Sequence, residues 1–330
     1  MSAPCNILVS SAGRRVVLIR LFEQALRELG LPGKVYATDL SSTAAGFHAA
    51  EQGFHAPLFS SGDFIPEMLK LCKSQDIRLI IPTIDTELGL YAKHLEAFAE
   101  IGTTVAISSP ETIDIGGDKL RTHAWLEENQ FPTPRQATLE AVLEQPDDWP
   151  MPLLAKPRSG SSSIGVTRIH DVDDLHFAEH HGEMIVQTLA TGEEYTIDVF
   201  VDKAGKARCS VPRLRLETRS GEVSKGLTVR HRELQDLAER ICEKLPGAYG
   251  VFNVQIFLDK TTGEMRVIEF NPRFGGGYPL AHQAGAHFTH WLVEDTMGLP
   301  LSIVADQWRD GLLMLRYDDA VFVDQSDTGG

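Results

Sequence analysis

The change of rhythm near residue 109 constrains this chain most. Before it, short apolar runs alternate with segments of helical period; after it, strands follow strands. Residues 6–10 read as a buried strand, and the turn Ser10-Ser11-Ala12-Gly13 leads into a helix over 14–29. Val17, Leu18, Leu21, Leu26 and Leu29 mark its apolar side, and Gly30 and Pro32 end it. Strands are expected at 34–38, 79–81 and 104–107, with helices at 64–72 and 87–99. Such alternation folds as a parallel sheet with helices on both faces.

Ser109-Pro110 breaks the pattern. A helix over 119–129 and a Pro-rich segment at 131–134 follow. Strands are then expected at 153–156, 166–169, 184–187, 194–201 and 207–211, with a small-residue loop at 160–165. A helix over 233–244 precedes two long strands, 251–258 and 264–270, joined by Lys260-Thr261-Thr262-Gly263. The first 110 or so residues thus form an α/β, Rossmann-like lobe, and the remainder is α+β with antiparallel sheets. No internal repeat is visible. A length of 330 residues with 42% hydrophobic content fills two or three lobes.

A formal charge of −15 argues against nucleic acid or an anionic membrane as partner, since phosphate backbones need a basic footprint. The four cysteines, Cys5, Cys72, Cys209 and Cys242, form no CxxC pair, which disfavours a zinc ribbon or a disulfide framework. No apolar run approaches the length of a membrane span and no signal segment precedes the first strand, so a cytoplasmic protein is expected.

In the first lobe, Ser11-Ala12-Gly13-Arg14-Arg15 places backbone N–H groups and two cations at a helix start, which suits an anion. Only Gly13 of a GxGxxG fingerprint is present, although Asp39 could imitate a ribose-binding acid. Asp85 and Glu87 follow a strand at its carboxyl end, where open sheets bind ligands. They are candidates to hold a substrate amine; alternatively Asp85 or Thr86 caps the next helix and Glu87 favours its first turn.

Four pieces of the second half carry chemistry together. Lys156 closes an apolar strand before Pro157 and is placed to meet phosphate oxygens. Ser159-Gly160-Ser161-Ser162-Ser163-Ile164-Gly165 can fold its backbone over a polyphosphate, though it lacks the P-loop pattern. An edge strand at Val186-Gln187-Thr188-Leu189 offers backbone groups to an adenine, and an acid a few residues on, in Glu193-Glu194, suits ribose hydroxyls. Period-two alternation puts Asn253 and Gln255 on one strand face and Glu269 and Asn271 on one face of the next. One carboxylate with amide oxygens, completed by nucleotide phosphates, suits Mg²⁺. Arg273, just beyond, can clamp a transferring phosphoryl group or an acyl phosphate.

In order and spacing these residues resemble the ATP-grasp superfamily, most of all its carbamoyl-phosphate synthase large-chain branch. The resemblance implies a pre-ATP-grasp domain over 1–112, a small lid subdomain over 113–186 and a large subdomain with the metal site over 187–330. It implies ATP and Mg²⁺ (or Mn²⁺) as cofactors. Lys119 and Lys156 match the nucleotide-binding cations, Ser159 to Gly165 the mobile loop, Gln187 and Leu189 the adenine hinge, and Glu194 the ribose acid. Gln255, Glu269 and Asn271 match the metal ligands. An acid is commoner than Gln187 at its place, whereas Gln255 agrees with the synthase branch. The chain departs from that branch in carrying one grasp unit, without a visible glutaminase or ammonia route.

The resemblance implies an ADP-forming ligase: a small carboxylate becomes an acyl phosphate, which an amine or another nucleophile then attacks. Amino-acid-like substrates are expected, and exposed faces of the first lobe can pair in a homodimer. A bicarbonate-activating enzyme is the competing expectation, and a non-catalytic nucleotide-binding regulator the competitor from another class. For the substrate, Arg213 and Arg215 share one strand face as possible forks for a carboxylate, or else pair with acids. Gly276, within Phe274-Gly275-Gly276-Gly277-Tyr278, marks a close backbone approach to substrate or phosphate, or a plain turn. Residues 225–228 are expected in a loop, His231, His282, His287 and His290 show no metal-ligand spacing, and His282 and His287 are expected in one packed helix after the triglycine.

Overall fold

The computed structural model describes residues 3–160, 165–178, 182–219 and 221–328. In the first lobe β1 (Asn6–Ser10), β2 (Val35–Asp39), β3 (Gly53–His55), β4 (Ile77–Pro82) and β5 (Thr104–Val105) form one parallel sheet. Their order, β3-β2-β1-β4-β5, reverses direction between β1 and β4. Both central strands are covered on two faces, and their sequences are accordingly almost continuously apolar. Loops beyond their carboxyl ends therefore frame a ligand crevice. The helix expected over 87–99 is two helices, Asp85–Lys93 and Leu95–Glu100. The chain leaves helical geometry at His94, and Phe98 then packs against Tyr91 in the core.

The next lobe is a four-stranded antiparallel sheet of β6 (Gln136–Thr138), β7 (Leu153–Pro157), β8 (Thr167–Ile169) and β9 (Met184–Thr188), ordered β6-β9-β7-β8. Helices Leu139–Glu144 and Val172–Ala178 close a separate core containing Val142, Trp149, Leu153, Leu175 and Val186.

The third lobe is a six-stranded antiparallel sheet, ordered β14-β13-β10-β11-β12-β15. Its strands are β10 (Glu193–Val201), β11 (Ala207–Arg219), β12 (Glu222–Thr228), β13 (Gly250–Leu258), β14 (Met265–Asn271) and β15 (Leu313–Leu315). Helix Arg232–Lys244 buries Leu234, Leu237, Ala238 and Ile241 against one face. The other face carries polar side chains at the cleft and, beyond it, Phe200, Val211 and Val251 in a second core. Residues 225–228 are strand rather than loop, because β11 and β15 flank them and take up their ladder hydrogen bonds despite Lys225 and Gly226. The helix expected after the triglycine is also divided: Tyr278–Ala284 stops at left-handed Gly285, and Phe288–Thr296 follows.

Helix Val16–Glu28 of the first lobe shares a core with these last two helices; Phe22 meets Phe274 edge-on at 5.9 Å. The first and third lobes are thus one packed body. The four-stranded lobe faces it across a cleft.

Candidate active site

The cleft has a volume of about 980 Å³. Its floor follows from strand register. On β10, Glu194, Thr196 and Asp198 point the same way by period two. Across from them on β13, Gln255 pairs with Thr196 and Asn253 with Asp198. On β14, Glu269 lies opposite Gln255 and Asn271 opposite Asn253. The expected constellation therefore assembles from residues far apart in sequence.

The Gln255 amide is oriented to suit a cation, whereas the Asn271 oxygen accepts from Arg273 Nη2 at 3.4 Å. Gln255 turns its Nε2 to Glu194 Oε1, and Asn271 donates from Nδ2 to Glu269 Oε1 at 3.2 Å. The Gln255 oxygen and Glu269 Oε2 are left without a hydrogen-bond donor among the described residues, and hard oxygens of this kind suit Mg²⁺ together with phosphate and water. Among the described residues no group of three or more His, Cys, Asp or Glu is arranged to hold a metal, so a metal here depends on amide oxygens. Asn253 stands apart from this set. Its Nδ2 donates to the Arg273 carbonyl at 2.7 Å, which fastens the turn after β14.

Opposite the floor stand two lysines. Lys156 is the penultimate residue of β7, and its Nζ donates to Gln187 Oε1 at 2.5 Å. Burial lowers its pKa to about 8, with Glu269 acting in the other direction. Lys119 opens helix Lys119–Glu128, whose first N–H groups are capped by Asp118, and its Nζ reaches the Gly160 carbonyl at 2.8 Å. Burial lowers its pKa too. Ser159, Gly160, Gln187, Leu189 and Glu194 all line this end. Gly165 lies back beside Pro157, with φ +74°. Ser161, Ser162 and Ser163 lie outside the described residues.

At the other end several expectations are corrected. Glu87 does not reach the cleft. It is fully buried, accepting from Ser10 Oγ and Ser11 Oγ at 2.7 Å and from the Thr83 N–H at 2.8 Å, so it braces the β1 and β4 loops. Burial raises its pKa, against the pull of those donors. Asp85 lines the cleft, yet its carboxylate already holds Arg273 through two bonds of 2.7 Å, Nε to Oδ1 and Nη2 to Oδ2. Arg213 is no free fork either: its Nε and Nη2 grip buried Asp198 at 2.5 and 2.9 Å. Arg215 lies 3.1 Å from Glu194, toward the nucleotide end expected from sequence.

Gly276 lines the cleft, but the close approaches of this turn are to protein side chains. A Cβ on Gly275 would overlap Asn253 Oδ1, and one on Gly277 would overlap Arg213 Nη1. Asp39 is likewise committed, accepting from the N–H groups of Gly13 and Ser41 at 2.7 and 2.9 Å. Arg15 and Glu222 also line the cleft and were not among the expected residues; Arg15 was visible only as a cation at a helix start. Asp198, which extending the period-two reading from Glu194 finds, is fully buried and does not line the cleft.

Two antiparallel lobes facing each other across a cleft, behind a doubly wound parallel lobe, define a protein of the ATP-grasp fold. Residues 116–277 match the ATP-grasp domain family and residues 7–106 match the PylC-like N-terminal domain family, so the chain carries both. It is 27% identical over 144 residues to a D-alanine--D-alanine ligase of Francisella philomiragia, covering 42% of this chain and 47% of that protein. It is 27% identical over 224 residues to the carbamoyl phosphate synthase large chain of Clavibacter sepedonicus, covering 60% of this chain and 19% of that one. The chain therefore spans less than half the length of these curated relatives. In fold it is similar to the biotin carboxylase domain of Hydrogenobacter thermophilus 2-oxoglutarate carboxylase, a dimer in complex with MgADP, ADP and bicarbonate. There the TM-score is 0.76 at 17% identity, covering 93% of this chain and 73% of that one. No helix among the described residues is long and apolar enough to cross a membrane.

Proposed function

We propose that the protein is an ADP-forming carboxylate–amine ligase that consumes ATP and takes small amino-acid-like substrates. The observation that carries this reading is the register that sets Gln255 against Glu269, with Lys119 and Lys156 facing them. Phosphoryl transfer calls for positioning and charge neutralisation rather than a protein nucleophile, and this set supplies both.

In this reading Gln187 and Leu189 receive the adenine, Glu194 the ribose, and Lys119, Lys156 and the 159–165 loop the phosphates. Gln255, Glu269 and Asn271 would hold Mg²⁺, which neutralises phosphate charge when bound. A substrate carboxylate oxygen attacks the γ-phosphorus, the β–γ P–O bond breaks, and its electron pair leaves with ADP. The amine then attacks the acyl carbon; the C–O bond to phosphate breaks, phosphate departs and the amine proton passes to solvent. Arg273 acts as a fixed cation beside the acyl phosphate, because Asp85 holds its fork. We assign the domains as 1–112, 113–186 and 187–330, and a homodimer and a cytoplasmic location belong to the same proposal.

ADP release from Mg-ATP, measured against a panel of amino acids and amines with and without bicarbonate, tests the reading. Amino-acid-dependent ADP formation that disappears in Glu269→Gln is the expected result. Similarity to the synthase large chain over 224 residues favours bicarbonate activation as the second reading. ADP formation driven by bicarbonate alone would put that reading in first place.

A further inference from the structure

Arg15 precedes helix Val16–Glu28 at the first-lobe end of the cleft, and the ligase chemistry above leaves it without a task. Its side chain is only 21% exposed, yet among the described residues its guanidinium makes no hydrogen bond. The nearest carboxylate oxygen, Glu222 Oε1, lies 3.7 Å from Nη1, beyond hydrogen-bond reach. Glu222 arrives from the start of β12 in the third lobe, and Arg316 holds its other oxygen at 3.0 Å. Oε1 is therefore left facing Arg15. Its donors open onto the cleft, where a ligand acceptor of opposite charge can replace water. Burial lowers the Arg15 pKa, with Glu222 acting in the opposite direction.

We infer that Arg15 and Glu222 form a subsite for the two charges of an amino-acid substrate, Arg15 taking the unreacted carboxylate and Glu222 the ammonium. This rests on the ligase reading and names which compounds that site takes. A zwitterion carries its opposite charges on either side of one carbon, matching a cation and an anion that face each other without bonding. A phosphate monoester would use only the cations of this end, where Arg273 and Arg316 also neighbour Arg15, and would leave Glu222 Oε1 unmet, whereas a zwitterion uses both members of the pair. The place also suits the nucleophile, whose ammonium loses a proton to solvent before it attacks. Arg15 lies close enough to Arg273 and Asp85 for their charges to act on it, so the subsite borders the reacting end of the cleft.

The test uses the amino acid that stimulates ADP release most strongly in the wild-type protein, with two analogues as competitors: its hydroxy acid, which lacks the ammonium, and its decarboxylated amine. Arg15→Gln should raise KM for the amino acid by about 10- to 100-fold, the size of one charge-assisted contact. The KM for ATP should not move. Arg15→Gln should weaken inhibition by the hydroxy acid and leave the decarboxylated amine unaffected, whereas Glu222→Gln should do the reverse. Arg15→Lys, which keeps the charge, should recover part of the affinity and guards against a misfolded Gln variant. Equal losses for both analogues in either variant, or an unchanged amino-acid KM, overturn the subsite. If no amino acid stimulates the wild-type protein, the ligase reading itself falls, and the two failures are thereby told apart.

Discussion

Lys156, next to last in β7, has 4% of its surface exposed, and among the described residues its ammonium is met by one amide oxygen, that of Gln187. Burial penalises the charged form, so the free protein holds this lysine at a pKa of about 8, well below the ordinary value. A polyphosphate beside it would restore the charge and raise the pKa again. Nucleotide binding then takes up a proton wherever the free protein is deprotonated, which is above pH 8 and not below it. Affinity for the nucleotide should be flat up to about pH 8 and fall beyond it, approaching about tenfold per pH unit. Calorimetric titration of a nonhydrolysable ATP analogue in buffers of different ionisation enthalpy measures both the affinity and the proton. Lys156→Arg, charged throughout, should abolish the slope. A wild-type affinity that stayed constant to pH 9.5 would remove Lys156 from the phosphates.

At the scale of elements, the pairing of β13 with β14 was legible because a hairpin of two alternating strands leaves little choice of register. The same alternation hid what lies across several strands. Arg213 and Asp198 are on adjacent strands, β11 and β10, and nothing local to either announces that they pair. Glu87 was ambiguous for another reason: an acid in the first turn of a helix can face the crevice or the backbone, and three residues around it decide which. Arg273 and Asp85 are 188 positions apart, so their contact required the packed lobes. Glycine reading had the same limit. Gly277 has an ordinary φ of −87°, but a Cβ there would overlap Arg213, which Asp198 prevents from moving aside. Gly277→Ala should therefore cost about 1–3 kcal/mol, as overpacking does. Gly89 sits inside helix Asp85–Lys93 with open space around it, and Gly89→Ala should stabilise by about 0.5–1 kcal/mol. Urea midpoints of the two variants should move in opposite directions; a shift of the same sign would contradict the packing around Gly277.

The whole molecule divides unequally. Helix Val16–Glu28, Phe274 and the helices Tyr278–Ala284 and Phe288–Thr296 share one core, which fixes Arg15 and Asp85 relative to Arg273 and Glu222. The four-stranded lobe has its own smaller core and is tied back by polar contacts such as Arg158 with Asp118 and the Gln136 amide with the Lys119 carbonyl. A small core opens at lower free energy than a large one. Amides of β7 and β9 should exchange with solvent faster than those of β1, β4, β10 and β13. In the proposed binding mode, a nucleotide held by Lys156 and Gln187 on one side and by Glu194 and Glu269 on the other would bridge the two bodies. At a concentration one hundred times its Kd, it should slow exchange in β7 and β9 by about 100-fold if opening of that lobe releases it. Exchange in β1 and β4, which do not contact it, should change little. Hydrogen exchange followed by mass spectrometry with and without the ATP analogue reads both numbers. Equal slowing across all the sheets would mean that the chain opens as one unit, and the lobe's separate core would then confer no separate motion.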